Sequence, residues 1–266
     1  MTEEFDDQLL DAFVRNFYGY GNYSGQLWFI GMEEGGGNSF TEVAKRLNAW
    51  ADRGRCELED LAEYHAAIGI TYLFNDRPKL QPTWNKLIRI LLSSHGQTPA
   101  TEQVREYQRA SLGRLDGDTC LLELLPLPSP STGHWLYARH SRLPYLANRK
   151  TYRQVCLAPR ISHLQRRIIE YKPRAVVFYG FSYREHWRAI AGVDLVQEWD
   201  GVCTGRNRST LFVMTRHPVA KGVTNDYFHQ VGRLIARATE ANMPRPGPSS
   251  SARPTPRAGP PWDAVS

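Results

Sequence analysis

The chain has 266 residues, of which 41% are hydrophobic, and carries a net charge of +6. These values suit one sizeable domain, or one domain with a tail, and no apolar run is long enough to span a membrane. The acidic N-terminus is not a signal peptide, and the four distant cysteines lack metal-binding spacing, so we expect a cytoplasmic protein with reduced thiols. The basic charge permits a polyanionic partner without requiring one.

Alternating helical and strand-like patterns predict an α/β fold. Apolar residues at helical spacing predict helices over 6–18, 41–52, 58–69, 83–94, 101–112, 160–171, 183–191 and 225–239. Four near-continuous apolar runs predict buried strands at 27–30, 118–125, 174–180 and 210–215. We therefore expect a three-layer α/β/α sandwich with a central four-stranded parallel sheet over residues 1–240. Residues 241–266 hold seven of the 17 prolines, which predicts a disordered tail.

The stretch LWFIGMEEGGG, Leu27–Gly37, is the first candidate for a functional site. Its apolar run ends at Gly31 and is followed by two carboxylates, Glu33 and Glu34, and then by three glycines. Glycines allow positive φ and let a ligand approach the main chain. A strand, a glycine loop and a helix are the usual surroundings of an active site in an open α/β sheet. An ordinary solvated loop is the alternative interpretation.

Three later features also carry polar side chains that the hydrophobic pattern of the predicted helices and strands does not explain. Glu123 interrupts the apolar run at 118–125, and Arg216-His217-Pro218 follows the last predicted strand. Residues 134–153 interleave basic and aromatic side chains, which is typical of a nucleic-acid surface and also of a long solvated loop. In an open α/β sheet, the carboxyl ends of the strands are the usual place for an active site.

Together these motifs resemble the uracil-DNA glycosylase superfamily. In that family, a glycine-led loop after the first strand carries a catalytic carboxylate or amide, and the second strand presents a base-reading side chain. The third strand follows a Lys-Pro helix end, and the fourth ends in a His-Pro motif whose loop wedges into DNA. The matching pieces here are Gly31–Gly35, Glu123, Lys172–Gly180 and His217-Pro218.

The chain departs from that family's pattern at three places. Glu33 stands where many relatives have Asp or Asn, and Glu34 stands where they have Pro. The serine that usually follows the His-Pro motif is absent, since Val219 comes next. These differences bear on the substrate and the rate more than on the fold, which the resemblance places over residues 27–236.

The resemblance implies a monofunctional DNA glycosylase that flips a nucleotide out of the duplex and hydrolyses its N-glycosidic bond. Glu33 is our candidate for the carboxylate that stabilises the oxocarbenium ion and orients water, with Glu34 as the reserve. His217 would donate to the base O2 as negative charge builds there. The alternative for His217 is a strand-end histidine that bonds to the backbone.

The resemblance also implies contacts with DNA on both sides of the flipped nucleotide. In the loop after His-Pro, Lys221 would contact phosphate, and Val219 or Val223 would be the apolar wedge. Gly35 and Gly36 would let the DNA backbone approach the main chain. The expected partner is therefore DNA, bound by a monomer that does not associate with membranes.

Glu123 takes the position of an Asn that reads uracil in uracil-specific relatives. A carboxylate cannot pair with the uracil edge as an amide does, but it accepts a hydrogen bond from the cytosine amino group. If burial raises its pKa, the protonated form could also donate to cytosine N3. This predicts a damaged or 5-modified cytosine as the substrate, such as a hypermodified phage base removed in defence. Phe40 would stack on that base.

Alternatives remain open for each of these assignments. Glu123 could be a structural carboxylate paired with an arginine, and Phe40 could belong to the core. The protein could excise uracil in repair, or it could be an inactive nucleic-acid-binding module. A dinucleotide enzyme is disfavoured because the sequence GMEEGGG lacks the GxGxxG spacing. The proposed hydrolysis needs only water and protein groups, so no cofactor and no metal are expected.

Overall fold

The computed structural model describes residues 3–131 and 133–240. The helices in these ranges are α1 (Asp7–Asn16), α2 (Phe40–Asp52), α3 (Leu61–Ala67), α4 (Pro82–Ser94), α5 (Thr101–Ala110), α6 (Tyr137–His140), α7 (Arg149–Tyr171), α8 (Arg184–Ala191) and α9 (Asn225–Glu240). Two 3₁₀ turns cover Pro144–Leu146 and Phe181–Tyr183. The predicted tail, 241–266, lies outside the described residues.

The strands of the described residues join one mixed sheet in the order β3-β1-β4-β2-β5-β8-β7-β6. Their bounds are β1 (Gly19–Gly21), β2 (Leu27–Glu33), β3 (Leu58–Glu59), β4 (Thr119–Leu125), β5 (Ala175–Tyr179), β6 (Val196–Trp199), β7 (Val202–Arg206) and β8 (Leu211–Thr215). The α/β class is confirmed. The predicted strands correspond to β2, β4, β5 and β8, which pair in parallel at the centre of the sheet.

The expected sheet of four parallel strands is wrong in extent, because the described sheet has eight strands and is mixed. Strand β1 pairs antiparallel with β4, and β7 pairs antiparallel with both β8 and β6. The missed strands lie towards the edges and lack an apolar run. Two of them, β1 and β3, have only three and two residues, and β6 is mostly exposed. Neighbouring strands, rather than local sequence, determine such segments.

Three predicted elements differ in their bounds in ways that affect the site. Strand β2 continues to Glu33, so this residue ends a strand and does not lie in a loop. Helix α3 begins only after Asp60, whose carboxylate caps it by accepting from the amides of Ala62 and Glu63. Helix α7 begins at Arg149, although the sequence predicted its start at 160. It contains Pro159, a residue that is unfavourable inside a helix.

Arg160 of α7 connects the core elements beneath the sheet edge. Its side chain is only 2% exposed and lies over the Tyr18 ring, 3.8 Å from the centroid. Its guanidinium donates to four main-chain carbonyl oxygens, those of Val14, Phe17, Glu123 and Leu124. The arginine thereby holds the end of α1 against β4, the strand that carries Glu123.

We expect Arg160→Leu to lower the free energy of unfolding by about 3 kcal/mol or more. The four carbonyl oxygens would lose their donor inside the core, and each buried acceptor without a partner costs about 1–3 kcal/mol, not additively. Urea denaturation followed by circular dichroism measures the change. Arg166→Leu, at an exposed position of the same helix, is the matched control and should change stability by less than about 0.5 kcal/mol. Equal losses in both variants would contradict this role.

Candidate functional site

Four central strands bring their polar groups to one edge of the sheet. Gly31 of β2 lies directly beside Glu123 of β4, and Tyr179 of β5 lies beside Thr215 of β8. His217 follows β8 by two residues. The structure therefore brings together Glu123 and His217, two of the residues predicted from separate strands, around Tyr179.

Glu33 is held by Arg149, the first residue of α7. One guanidinium nitrogen, Nη1, donates to both carboxylate oxygens at 2.6 and 2.8 Å. The other, Nη2, donates to the carbonyl oxygens of Ser131 and His134. Burial raises the pKa of Glu33, and the positive charge of Arg149 opposes that rise. The ion pair thus fixes the orientation of Glu33 and favours its ionised form.

A cleft of about 450 Å³ opens beside Glu33. Its floor is apolar, and one wall carries three cationic side chains from the first turns of α7. Its lining residues are Met32, Glu33, Leu125, Arg149, Lys150, Arg153, Gln154, Leu157 and Tyr183. Arg153 lies near the Tyr183 ring and bonds to His186 at 3.4 Å. The cleft can take a ligand that combines an anionic group with a flat apolar part.

Glu123 is a partly exposed residue with one buried carboxyl oxygen, and its carboxyl group has no cationic partner among the described residues. Its Oε1 accepts a hydrogen bond of 3.2 Å from the Tyr179 hydroxyl, whereas Oε2 is buried and has no partner. Burial, followed by the nearby negative charge of Glu34, raises the pKa of Glu123 well above its usual range. Arg160 bonds to the main-chain oxygen of Glu123 and not to its carboxyl, so the arginine pairing considered above is absent from the described ion pairs.

His217 is a partly buried imidazole at the end of β8. Its Nδ1 accepts from the Val219 amide at 3.3 Å, so in the neutral ring the hydrogen is on Nε2. Burial lowers the pKa of His217, which favours this neutral form. The ring packs edge-on against Tyr179, with centroids 5.7 Å apart. The arrangement gives a neutral N–H donor; it also includes the backbone bond that a structural histidine would have.

Glu34 belongs to a separate buried network. Its Oε2 accepts from the Tyr20 hydroxyl at 3.0 Å and from Arg46 at 3.1 Å. Its Oε1 lies 3.7 Å from Nε2 of His65, whose pKa is lowered by burial despite this neighbouring charge. These partners come from β1, α2 and α3. They hold Glu34 in place through partners other than Arg149, the residue that binds Glu33.

The glycine loop is shaped by Glu42 of α2. The Glu42 carboxylate accepts from the amides of Gly37 and Asn38, both at 3.0 Å, and these contacts lower the pKa of Glu42 against the effect of burial. Gly36 has φ +106°, and a side chain there would meet Glu42 and Arg46. Gly35 is exposed and has open space around its Cα. Of the two predicted DNA-contacting glycines, Gly35 is thus the accessible one.

Two predicted DNA contacts lie on the surface, and one predicted stacking residue is packed. Val219 is 57% exposed, and Lys221 is exposed in the same loop. Phe40 stacks on Phe5 at 4.6 Å between centroids and tilts against His140. This packing fits the core alternative for Phe40 better than a role in holding a base.

The basic and aromatic stretch at 134–153 divides into structural and cleft residues. Tyr137 and Tyr152 are buried, and Arg142 pairs with Glu4. Only its last turn, with Arg149, Lys150 and Arg153, lines the cleft. Sequence reasoning did not single out Tyr179 or the Arg149 ion pair. An apolar strand ending in Tyr was the available signal for Tyr179, but core packing explains that pattern equally well.

Comparisons with known proteins do not assign the chain to a family. A scan against protein-family models finds no match, and a search of curated proteins finds none either. In the described part of the chain, no helix has the length and apolar character needed to cross a bilayer.

Proposed function

We propose that the protein is a DNA glycosylase that removes a non-standard pyrimidine, a modified cytosine, and leaves an abasic site. The observation that carries this proposal is the meeting of Glu123, Tyr179 and His217 at the carboxyl edge of adjacent parallel strands, with Glu33 ending the strand between them. Such edges are where open α/β sheets bind ligands. The three-layer arrangement implied by the resemblance is part of the proposal, as is a monomer that acts without cofactor.

The chemistry assigns opposite tasks to Glu33 and His217. Water adds to C1′ of the sugar, the bond from C1′ to the base nitrogen breaks, and the base leaves with the bonding electrons. The proton that water loses ends on the departed base, which is released in its neutral form. Glu33 stabilises the positive charge that develops on the sugar, and Arg149 holds it in position for this. His217 donates from Nε2 to the base O2, where negative charge accumulates.

Glu123 supplies the contact to the base. In its protonated form, one oxygen donates to cytosine N3 while the other accepts from the cytosine amino group. This interaction would stabilise the departing cytosine, which is a poorer leaving group than uracil. The absence of a cationic partner and the orphaned Oε2 support the protonated form. Ordinary cytosine is abundant in the cell's own DNA, so a modified cytosine is the sensible target.

DNA would lie across the cleft and the loop after β8. Arg153 and Lys150 line the cleft and Lys221 is exposed, so in this proposal all three would contact phosphate. Val219 is exposed, and in this proposal it would enter the stack where the nucleotide has left. Gly35 leaves room for the backbone beside Glu33.

We expect Arg149→Gln to move the acidic limb of the pH–rate profile to higher pH. Arg149 lowers the pKa of Glu33, so its loss raises that pKa, and the ionised catalyst is then populated only at higher pH. The ratio of the single-turnover rate at pH 8 to that at pH 6 should rise. Lys150 lines the same cleft without bonding to Glu33. The control variant Lys150→Gln should therefore leave the ratio of the rates at pH 8 and pH 6 unchanged. A ratio unaffected by Arg149→Gln would contradict Glu33 as the ionised catalyst.

The proposal is tested with oligonucleotides that carry one uracil, cytosine, 5-hydroxymethylcytosine or glucosylated 5-hydroxymethylcytosine. Purified protein is incubated with each, and abasic sites are then cleaved with alkali. Cleavage at a modified cytosine supports the proposal in full. Cleavage at uracil alone is consistent with the glycosylase mechanism but contradicts the modified-cytosine assignment. That outcome would favour the alternative of uracil excision in repair.

A second candidate, a nucleic-acid-binding module without activity, is favoured by one observation. The Arg149 guanidinium, which donates to both oxygens of Glu33, compensates the negative charge of that carboxylate. A catalyst needs this charge to stabilise the positive charge on the sugar. Tight binding of every oligonucleotide without cleavage of any would support this candidate over the glycosylase.

A further inference from the structure

We propose that Tyr179 determines which base Glu123 accepts, because its hydroxyl donates to Oε1 and leaves the proton of the carboxylic acid on Oε2. This inference rests on the proposed function. It makes Tyr179 a positioning residue for base recognition, and it concerns a side chain that the sequence patterns did not single out.

Tyr179 connects three of the strands that form the site. Its hydroxyl bonds to Glu123 of β4, and its ring packs edge-on against His217 beyond β8. It also fills the space above Gly31 of β2, where an added Cβ would lie 2.1 Å from the hydroxyl and 2.6 Å from Glu123 Oε2. Gly31 is therefore required for the close approach of the tyrosine and the carboxyl group.

The hydrogen bond gives the two oxygens of Glu123 different roles. Oε1 accepts from Tyr179 and keeps one further lone pair, so it remains an acceptor. Oε2 is buried and bonds to none of the described residues, so a proton on this oxygen is not committed to another protein group. A neutral carboxylic acid held in this way presents a donor at Oε2 and an acceptor at Oε1.

A fixed donor and acceptor order distinguishes cytosine from uracil. Cytosine has an acceptor at N3 and a donor amino group at C4, whereas uracil has a donor at N3 and an acceptor at O4. With the sugar held by Glu33, the base enters in one orientation, so only one of the two orders matches. We assign Oε2 to cytosine N3 and Oε1 to the amino group. An acid free to exchange its proton between the oxygens would pair with both bases.

The groups that face Glu123 from the packed elements are consistent with this arrangement. Burial, Glu34 just after β2 and Glu33 at its end disfavour the ionised form of Glu123, whereas Tyr179 and Arg160 favour it. Removing the Tyr179 hydroxyl removes a hydrogen bond that stabilises the ionised carboxylate. The titration of Glu123 in Tyr179→Phe should therefore move to higher pH.

The test compares the wild-type protein with Tyr179→Phe, which keeps the ring against His217 and removes only the hydroxyl. We expect the ratio of excision rates for modified cytosine over uracil to fall by about 10-fold, the value of one hydrogen bond. The alkaline limb of the pH–rate profile of Tyr179→Phe should move to higher pH. Gly31→Ala, which displaces the hydroxyl sterically, should lower the same ratio. Tyr145→Phe, which removes a hydroxyl bonded to Asp11 elsewhere, is the matched control.

A second readout does not depend on catalysis. Glutamate labelled with ¹³C at the carboxyl carbon is followed by NMR during a pH titration, and the Glu123 signal is identified by its loss in Glu123→Gln. A Glu123 titration that moves in Tyr179→Phe but not in Tyr145→Phe supports the inference. An unmoved titration together with an unchanged base ratio overturns it and leaves the proposed function standing. A moved titration without excision of any base overturns the proposed function and retains the hydrogen bond assigned to Tyr179.

Discussion

Glu33→Gln is expected to lower the single-turnover excision rate by about 10³-fold, which is the upper range for loss of one electrostatic contact to a transition state. The amide keeps the shape of the side chain but carries no charge to stabilise the oxocarbenium ion. DNA affinity, measured by fluorescence anisotropy on an uncleaved oligonucleotide, should change by less than about threefold because substrate binding does not require that charge.

Glu34→Gln is the comparison that separates the two adjacent carboxylates. Glu34 is bonded to Tyr20 and Arg46 in its own network, so its loss should lower stability more than rate. Thermal unfolding and single-turnover kinetics on both variants give the answer. A larger rate loss in Glu34→Gln than in Glu33→Gln would assign the catalytic role to Glu34. A small rate loss in both variants would favour the inactive nucleic-acid-binding module.

Glu123→Asn is expected to shift base preference towards uracil by about 100-fold, measured as the ratio of excision rates for uracil over modified cytosine. The amide offers the pairing that uracil requires. It also cannot supply the acid proton to cytosine N3, and polar mismatches in a buried site give large discrimination. An unchanged ratio would show that Glu123 does not contact the base.

The matched variant for this test is Glu123→Gln, which keeps the side-chain length while replacing the acid by an amide. If it behaves as Glu123→Asn does, the chemistry of the group and not its reach decides the preference. If both variants unfold at lower temperature and lose activity on every base equally, Glu123 is a structural carboxyl group.

Sequence patterns located the central strands and most helices but misjudged the edges of the sheet. The run at 174–180 contains β5, and the run at 210–215 contains β8, because strands buried on both faces are continuously apolar. The exposed β6 shows no such run and was not predicted. Pro159 and the preceding basic residues obscured the first three turns of α7, where Arg149 begins the helix.

The sequence by itself determined the α/β class, the four central strands, the position of Glu123 within the second of them and that of His217 just after the last. These follow from local periodicity, which records the burial of each segment. Only the tertiary structure decided the partners of those groups. Arg149 lies 116 residues from Glu33, and Tyr179 lies 56 residues from Glu123. Such contacts depend on the pairing of distant strands and the packing of α7, which no local pattern encodes. The Arg149 contact opposes the effect of burial on the pKa of Glu33, and the Tyr179 contact gives the two oxygens of Glu123 different surroundings.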